Sequence, residues 1–341
     1  MTKLLNDSKR WLPGALVSIA LIVVIFYFVD FQTTWNAIRD ANYRILSGSV
    51  VLSFLWMIVR AKVWQTLLRD KPKYVDVLFS TGEGYLLNNF LPFRLGELGR
   101  AFLLSRKSGM AFSEILPTII IERVTDLAFS AAILLAALPY VADSQGSERI
   151  GYIVGGVVIF GLVMMYVLAR NNKLALDTFH QLSLRWPFLH KFGGSFLESF
   201  LDGLGVLTDG WLFIRFLFWM SLNWFMSLIA YYLIVLSFFP QAQPEWTLFV
   251  VGAAAFGGAI PALPGGVGTF EGAVSVALTL FTGDQSTALA AALTMRLYNY
   301  LNSGVIGGIG LMREGQTLSG VYQQLMNMRS KQNAENPDEV N

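Results

Sequence analysis

The sequence predicts an all-α, polytopic integral membrane protein, with six spanning helices and two re-entrant hairpins in two inverted-topology repeats. The first observation is composition: 54% of the 341 residues are hydrophobic, 14% are charged, and the mean hydropathy is +0.52. Soluble domains carry about 25% charged residues. The second is a series of apolar runs long enough to cross a bilayer as a helix, which takes about 20 residues. The third is a pair of apolar runs that Pro and Gly interrupt.

Composition also excludes several classes of function. The net charge of +2 gives no electrostatic footprint for nucleic acid. The absence of Cys excludes thiolate chemistry, and two His leave little for zinc or general-base catalysis. The sequence lacks the phosphate-loop motif G-x-x-x-x-G-K-[ST], so we expect no ATP hydrolysis by this chain. We therefore expect no metal, no cofactor and no nucleic-acid partner.

Six apolar runs are predicted to span the membrane: residues 11–29, 45–62, 115–139, 150–169, 212–238 and 286–311. The first run follows Lys3, Lys9 and Arg10 and so resembles a signal peptide. It is too long for one, and no small-residue cleavage site follows it. We therefore expect a retained helix.

Two further apolar stretches, residues 76–104 and 246–282, are each broken near the middle. Broken backbone survives at membrane depth only where protein or a polar cavity satisfies its hydrogen bonds. Each stretch is therefore predicted to be a re-entrant hairpin. The residues assigned to the two turns are Pro92, Gly96, Gly99, Pro261, Pro264, Gly265, Gly266 and Gly268.

The distribution of basic residues fixes the predicted topology. If both hairpins return to the side they enter from, most of the 25 Lys and Arg fall on one side of the membrane. By the positive-inside rule that side is the cytoplasm, so both termini are expected there in a multi-pass protein of the cell membrane. The halves are residues 1–139 and 150–311. Residues 170–210 are predicted to form a cytoplasmic amphipathic segment, and residues 313–341 a polar tail.

Two short motifs recur, once in each half. Pro-x3-Gly-x2-Gly starts at Pro92 and at Pro261, and Arg-x-x-Asx starts at Arg123 and at Arg296. With the predicted topology, the two halves have opposite orientations. Inverted repeats with broken helices that meet near the midplane are typical of transporters.

Charged residues in or beside the membrane segments form the candidate site. A central charge costs at least about 2.5–3.5 kcal/mol on insertion scales, so such groups usually pair and face a cavity. Two roles stay open: ion pairs that pin the hairpins to the core, or a polar substrate pathway, which the clustering at broken helices favours. The residues proposed for binding and translocation are Asn89, Arg94, Glu97, Arg100, Glu122, Arg123, Asp126, Glu271, Arg296 and Asn299, and Glu83 is a further membrane charge.

The chemistry of this set suits a phosphate-bearing lipid. Arg binds phosphate in a bidentate manner, and helix N-termini after Gly-rich turns offer free N–H groups. The acids would hold a cationic head group or carry protons. We expect Arg123→Ala or Glu271→Ala to abolish translocation with folding intact. The pairs Gly304-x3-Gly308 and Gly151-x3-Gly155 are instead predicted to pack helices.

Two other functions remain open. One is secondary transport of a small soluble anion through the same cavity. The other is intramembrane lipid modification, with Glu122 and Asp126, or Glu83 and Glu97, as an acid/base pair. The predicted spans contain no His or Cys nucleophile constellation, so we expect that the protein is not an enzyme.

Three ordered segments carry a resemblance to a known family: Asn88–Arg100, Glu122–Asp126 and Pro264–Glu271. They are similar to the transmembrane, flippase-like domain of the lysylphosphatidylglycerol synthase/flippase family. The resemblance implies movement of aminoacylated phosphatidylglycerol between leaflets, which in that family confers resistance to cationic peptides.

The resemblance also implies partners. In the family a separate soluble domain performs aminoacyl transfer, whereas only 29 residues remain here from Arg313 onward, so we expect a stand-alone membrane domain. Stand-alone relatives are linked to hopanoids and polyprenyl-phosphate sugars. The expected substrate is therefore aminoacyl-phosphatidylglycerol, a polyprenyl-phosphate or a hopanoid lipid, with a separate lipid-synthesising enzyme and a homo-oligomer as further possible partners.

Overall fold

The computed structural model describes residues 30–91, 94–141, 208–259 and 264–318, with scattered positions in 156–171 and 320–324. Regular structure in those ranges is entirely helical. Several predicted features lie wholly or largely outside the described residues: the spans 11–29 and 150–169, the segment 170–210, most of the tail 313–341, and the turn residues Pro92 and Pro261.

Five described helices belong to the first half: α1 (Phe31–Asp40), α2 (Tyr43–Leu67), α3 (Tyr74–Phe90), α4 (Leu95–Ser108) and α5 (Phe112–Ala137). Four belong to the second: α6 (Gly210–Phe238), α7 (Pro244–Ala259), α8 (Thr269–Thr282) and α9 (Gln285–Arg313). Short 3₁₀ turns follow α5 at Leu138–Tyr140 and α7 at Pro264–Gly266.

The helix boundaries have local causes. Carboxylate or amide side chains cap the starts of four helices by accepting backbone N–H bonds: Asp30, Asn42, Asp209 and Asp284. Gly109 and Gly283 end α4 and α8 in the left-handed conformation, at φ 72° and 68°, which costs Gly no steric penalty.

After α1, the described parts of both halves have the same order of elements: a long helix, two shorter ones and a second long helix. Their lengths are 25, 17, 14 and 26 residues in α2–α5, and 29, 16, 14 and 29 residues in α6–α9. The packing corresponds as well: α2 packs on α6, α3 on α9, and α5 on α7. The orientation of each half relative to a membrane stays a prediction.

Two of the described helices, α2 and α6, are long and apolar enough to cross a membrane. Their outer faces expose large apolar side chains, among them Val51, Leu55, Trp211 and Phe218. α5 is of similar length, but it carries Glu122, Arg123 and Asp126 near its middle. Those charges are where the candidate site begins.

Helix packing corrects one prediction. A Cβ at Gly304 or Gly308 would meet no described residue within 4 Å, so this pair does not pack against a described helix as predicted. The close contact is between Gly82 of α3 and Gly307 of α9, where a Cβ on Gly82 would lie 2.8 Å from the Gly307 nitrogen. The four-residue spacing identified a small-residue stripe but not the face that meets α3. The pair Gly151 and Gly155 lies outside the described residues.

Candidate functional site

α3 packs against α4 as one helical hairpin and α7 against α8 as a second, and described residues near their connecting ends are in contact. Arg94, which precedes α4 in the left-handed conformation (φ 53°, ψ 36°), donates through Nη2 to the carbonyl of Gly258 in α7. A Cβ on Gly265 would lie 3.5 Å from the backbone of Asn89, at the end of α3. Asn89 also donates to Ser303 Oγ of α9 at 2.8 Å. Each half thus contributes a broken segment to one contact region.

Glu122 of α5 is the centre of a buried ion cluster in the first half. Its side chain is fully buried, and its carboxylate accepts hydrogen bonds from Arg60 of α2, from Arg100 of α4 at 3.0 Å and from Arg123 at 2.7 Å. Arg60 and Arg100 have 2% side-chain exposure, and the Arg100 guanidinium lies 4.6 Å from the centre of the Trp64 ring. Such a deeply buried carboxylate needs this pairing to stay ionised.

The remaining members of the cluster neutralise it. Asp126 accepts from Arg60 Nη1 at 2.8 Å and lies 3.4 Å from Arg123 Nη1. Glu97 lies 2.7 Å from Arg100 Nη2 and 3.5 Å from Arg123 Nε. Three guanidinium groups therefore face three carboxylates, and their formal charges cancel.

Arg94 adds a fourth positive charge beside this balanced cluster. Its side chain is exposed, and in the described part of the chain no carboxylate oxygen lies within ion-pair distance of its guanidinium. The region where the hairpins meet therefore carries one excess positive charge. A guanidinium with unused N–H donors is suited to bind a phosphate oxygen.

Arg296 holds the turn of the second hairpin. It donates to the carbonyls of Gly265 and, at 2.8 Å, of Gly266, and through Nε to Glu271 Oε1 at 2.6 Å. Glu271 Oε2 accepts the Gly268 N–H at 2.9 Å. Gly265, Gly266 and Gly268 have φ values of 72°, 65° and 88°, which side chains with a Cβ rarely adopt. The pair of ionised side chains thus fixes a turn that only Gly builds without strain.

One Arg–Glu pair occupies corresponding positions in both halves. Glu97 and Glu271 each follow the first residue of their helix, α4 or α8, by two positions. Arg123 and Arg296 each follow the first residue of α5 or α9 by eleven. By the same alignment of helix starts, Val274 stands where the first half has Arg100, and Met295 where it has Glu122. The additional buried charges therefore belong to the first half.

The structure distributes the predicted site residues among three places. The buried cluster contains Glu97, Arg100, Glu122, Arg123 and Asp126; the hairpin contact contains Asn89 and Arg94; the second turn contains Gly265, Gly266, Gly268, Glu271 and Arg296. Asn299 lies on α9, where its carbonyl accepts from Ser303 Oγ at 2.7 Å.

The assignment of Gly96 and Gly99 to a turn is wrong. Both lie inside α4, which begins at Leu95. A Cβ on Gly96 would collide with the carbonyl of Gly84 in α3, so this Gly lets the two arms of the hairpin approach closely. Pro264 does lie in the 3₁₀ turn of the second hairpin.

Sequence analysis also missed Arg60. Arg60 lies two residues before the predicted end of its span at residue 62, and the predicted topology counts it with the basic residues of the cytoplasmic side, but α2 continues to Leu67 and buries it. The signal was present in the run Val63–Leu68, which resumes the apolar pattern after Lys62.

The family model described as the lysylphosphatidylglycerol synthase TM region matches residues 11–307, so the chain belongs to this membrane-protein family, as the resemblance of its motifs predicted. No solved structure matches the chain at a significant level.

Curated relatives include UPF0104 membrane protein MJ1595 of Methanocaldococcus jannaschii, 20% identical over 87% of this chain and 93% of the relative. UPF0104 membrane protein PH1989 of Pyrococcus horikoshii is 23% identical over 89% and 97%. UPF0104 membrane protein MJ1078 of M. jannaschii is 27% identical over 65% and 92%. These relatives match the membrane region along most of their own length.

Proposed function

We propose that the protein moves a polar, phosphate-bearing lipid between membrane leaflets, as a flippase-like transporter rather than an enzyme. The observation that carries this proposal is the contact between the two hairpin tips. There the exposed guanidinium of Arg94 spans from one half to the Gly258 carbonyl of the other, beside a charge-balanced cluster.

The repeated architecture supports a transport role. The order, lengths and packing of the helices match between α2–α5 and α6–α9. This match supports a topology of two inverted halves with six spanning helices and two re-entrant hairpins in all. The shared pairs Glu97–Arg123 and Glu271–Arg296 support the same symmetry. In such transporters the substrate binds where broken helices of the two repeats meet.

The residues would divide the work by exposure. Arg94, and Arg123 with its 27% side-chain exposure, would contact the phosphate. Arg60, Arg100 and Glu122 are buried and would fix the orientation of Arg123 and the local potential. Arg296 and Glu271 would hold the second turn in the shape that receives the head group.

The family points to a lipid as the cargo. Its description names a synthase of lysylphosphatidylglycerol, a lipid with one phosphate and a cationic head group. Acidic groups of the cluster, such as Asp126, would balance the cationic part of such a lipid. A polyprenyl-phosphate or a hopanoid lipid fits the same apolar surroundings. The protein would act in the cell membrane, as a monomer or a homo-oligomer, with both termini in the cytoplasm.

A leaflet-specific assay in proteoliposomes tests the proposal. Fluorescent lysyl-phosphatidylglycerol, phosphatidylglycerol and a polyprenyl-phosphate are incorporated separately, and dithionite quenching of the outer leaflet is followed with time. Protein-dependent exposure of one lipid establishes translocation and identifies its class. If none of the three lipids moves, with or without a proton gradient, translocation of these phosphate-bearing lipids is excluded. Uptake of a soluble anion, or a chemically altered lipid found by mass spectrometry, would then identify the other two functions.

A further inference from the structure

A second buried charged group lies away from the hairpin contact. Glu83 of α3 is fully buried, and its Oε2 accepts from Lys107 Nζ of α4 at 2.7 Å. Lys107 also donates to Ser80 Oγ at 3.0 Å and pairs with Glu314, which follows α9. The Lys107 ammonium group therefore pairs with two carboxylates, one on α3 and one directly after α9.

One oxygen of Glu83 has no hydrogen-bond partner in the part of the chain that the structure describes. Its Oε1 is buried without a hydrogen bond among the described residues, and it faces Gly310 of α9, where a Cβ would occupy its place. Lys107 Nζ lies within ion-pair distance of a carboxylate oxygen of Glu83 and of one of Glu314, so the two carboxyl groups are neighbours. Two carboxylates only accept hydrogen bonds, so a bond between them requires one proton.

The formal charges around Glu83 also indicate that the group binds one proton. A cavity of about 130 Å³ adjoins the pair, and it is lined by Asp76, Phe79, Lys107, Gly310, Arg313 and Glu314. Asp76, Glu83 and Glu314 contribute three negative charges, and Lys107 and Arg313 contribute two positive ones. One additional positive charge balances the group. The cavity has room for several waters, which would connect it to bulk solvent.

We propose that Glu83, Glu314 and Lys107 form a proton-binding site, in which the two carboxyls share one proton. The site links α3 and α4 of the first hairpin to the end of α9. Release of the proton leaves an uncompensated negative charge beside Gly310 and weakens the contact between Glu83 and Glu314. In a lipid transporter as proposed above, this would couple movement of the first hairpin to a proton gradient.

Infrared spectroscopy of the purified protein tests the site without lipid transport. The C=O stretching band of a protonated carboxyl is recorded from mildly acidic to mildly alkaline buffer, for wild type, Glu83→Gln, Glu314→Gln and the control Glu114→Gln. Glu114 is an exposed carboxylate at the start of α5. We expect a titrating band that disappears in Glu83→Gln, is altered in Glu314→Gln and persists in Glu114→Gln.

Two results would overturn the proton site: no titrating carboxyl band in the wild type, or a band that both Glu83→Gln and Glu314→Gln leave unchanged. If Glu83→Gln does not fold, the half-buried Glu314 still provides the test. In proteoliposomes that translocate lipid, Glu83→Gln should keep a basal rate but lose its stimulation by a pH gradient. A rate that still rises with the gradient in Glu83→Gln would contradict the coupling.

Discussion

Arg296 Nε lies 2.6 Å from Glu271 Oε1, and this pair has a counterpart, Arg123 and Glu97, at the same helical positions of the first half, where Nε and Oε1 are 3.5 Å apart. The two pairs differ in what else they bind. Arg296 and Glu271 bind three backbone groups of the Gly265–Gly268 turn: the carbonyls of Gly265 and Gly266 and the N–H of Gly268. Arg123 is partly exposed and shares its carboxylates with Arg60 and Arg100. The same pair therefore serves as a clamp in one half and as part of a charged surface in the other.

Removing the clamp should cost stability as well as transport, so the contacts of Glu271 replace the expectation from sequence that its loss leaves folding intact. Glu271→Gln leaves the Arg296 guanidinium buried with a neutral partner, and breaking a buried pair typically costs about 3–5 kcal/mol. We expect a clearly lower melting temperature in detergent for Glu271→Gln than for the control Glu245→Gln on α7. Equal melting temperatures would show that Glu271 does not hold the turn.

Arg60→Met should be among the most destabilising single substitutions in the chain. It leaves Glu122 and Asp126 with one fewer cation in a buried site, again at a cost of about 3–5 kcal/mol. Arg215 pairs with Asp70 at a partly exposed position, where an ion pair contributes about 0–1 kcal/mol. Chemical denaturation of Arg60→Met and Arg215→Met should show this contrast. A smaller loss for Arg60→Met than for Arg215→Met would contradict it.

Local patterns predicted much of this site, because charge, Pro and Gly in apolar sequence have few structural explanations. The breaks near Asn89 and Gly265 and the recurrence of Arg123 and Arg296 were visible in one dimension. Their partners were not, because the face that each helix presents depends on tertiary packing. The role of Arg60 in the cluster was not predicted for that reason, because an Arg near the predicted end of a span resembles a loop residue. The partner of Gly307 likewise became known only when α3 was placed against α9.

The close contact between α3 and α9 at Gly82 and Gly307, called the seam below, provides a matched pair of substitutions on one helix. Gly307→Ala would place a Cβ against the Gly82 backbone and 2.9 Å from Leu86 Cβ, and overpacking of this kind costs about 1–3 kcal/mol. Gly304→Ala, one turn away, meets no described residue within 4 Å. We expect Gly307→Ala to unfold at a lower temperature than Gly304→Ala. The same melting temperature for both would mean that the seam opens without cost.

The ion pair between Asp70, which follows α2, and Arg215 of α6 should stabilise the fold in a pH-dependent way. Burial opposes ionisation of Asp70, but hydrogen bonds from Arg215 and Lys62 hold the pKa of its carboxyl below its ordinary value. Because the pKa is depressed in the folded state, the stabilisation is complete above the ordinary pKa of Asp and is lost as the pH falls through the folded value. The stability difference between wild type and Asp70→Asn should therefore be constant near neutral pH and shrink in acid. A difference that grows on acidification would contradict this linkage.

Arg94→Gln should reduce lipid translocation with little change in stability. The substitution removes the excess positive charge at the hairpin contact and keeps a polar side chain with an N–H donor. Arg44, an exposed residue in the first turn of α2, provides the control Arg44→Gln. In the proteoliposome assay we expect at least a tenfold slower rate for Arg94→Gln, as for the loss of about 1.4 kcal/mol of binding to a phosphate in the rate-limiting state. Equal rates for Arg94→Gln and Arg44→Gln, with both proteins folded, would remove Arg94 from the translocation pathway.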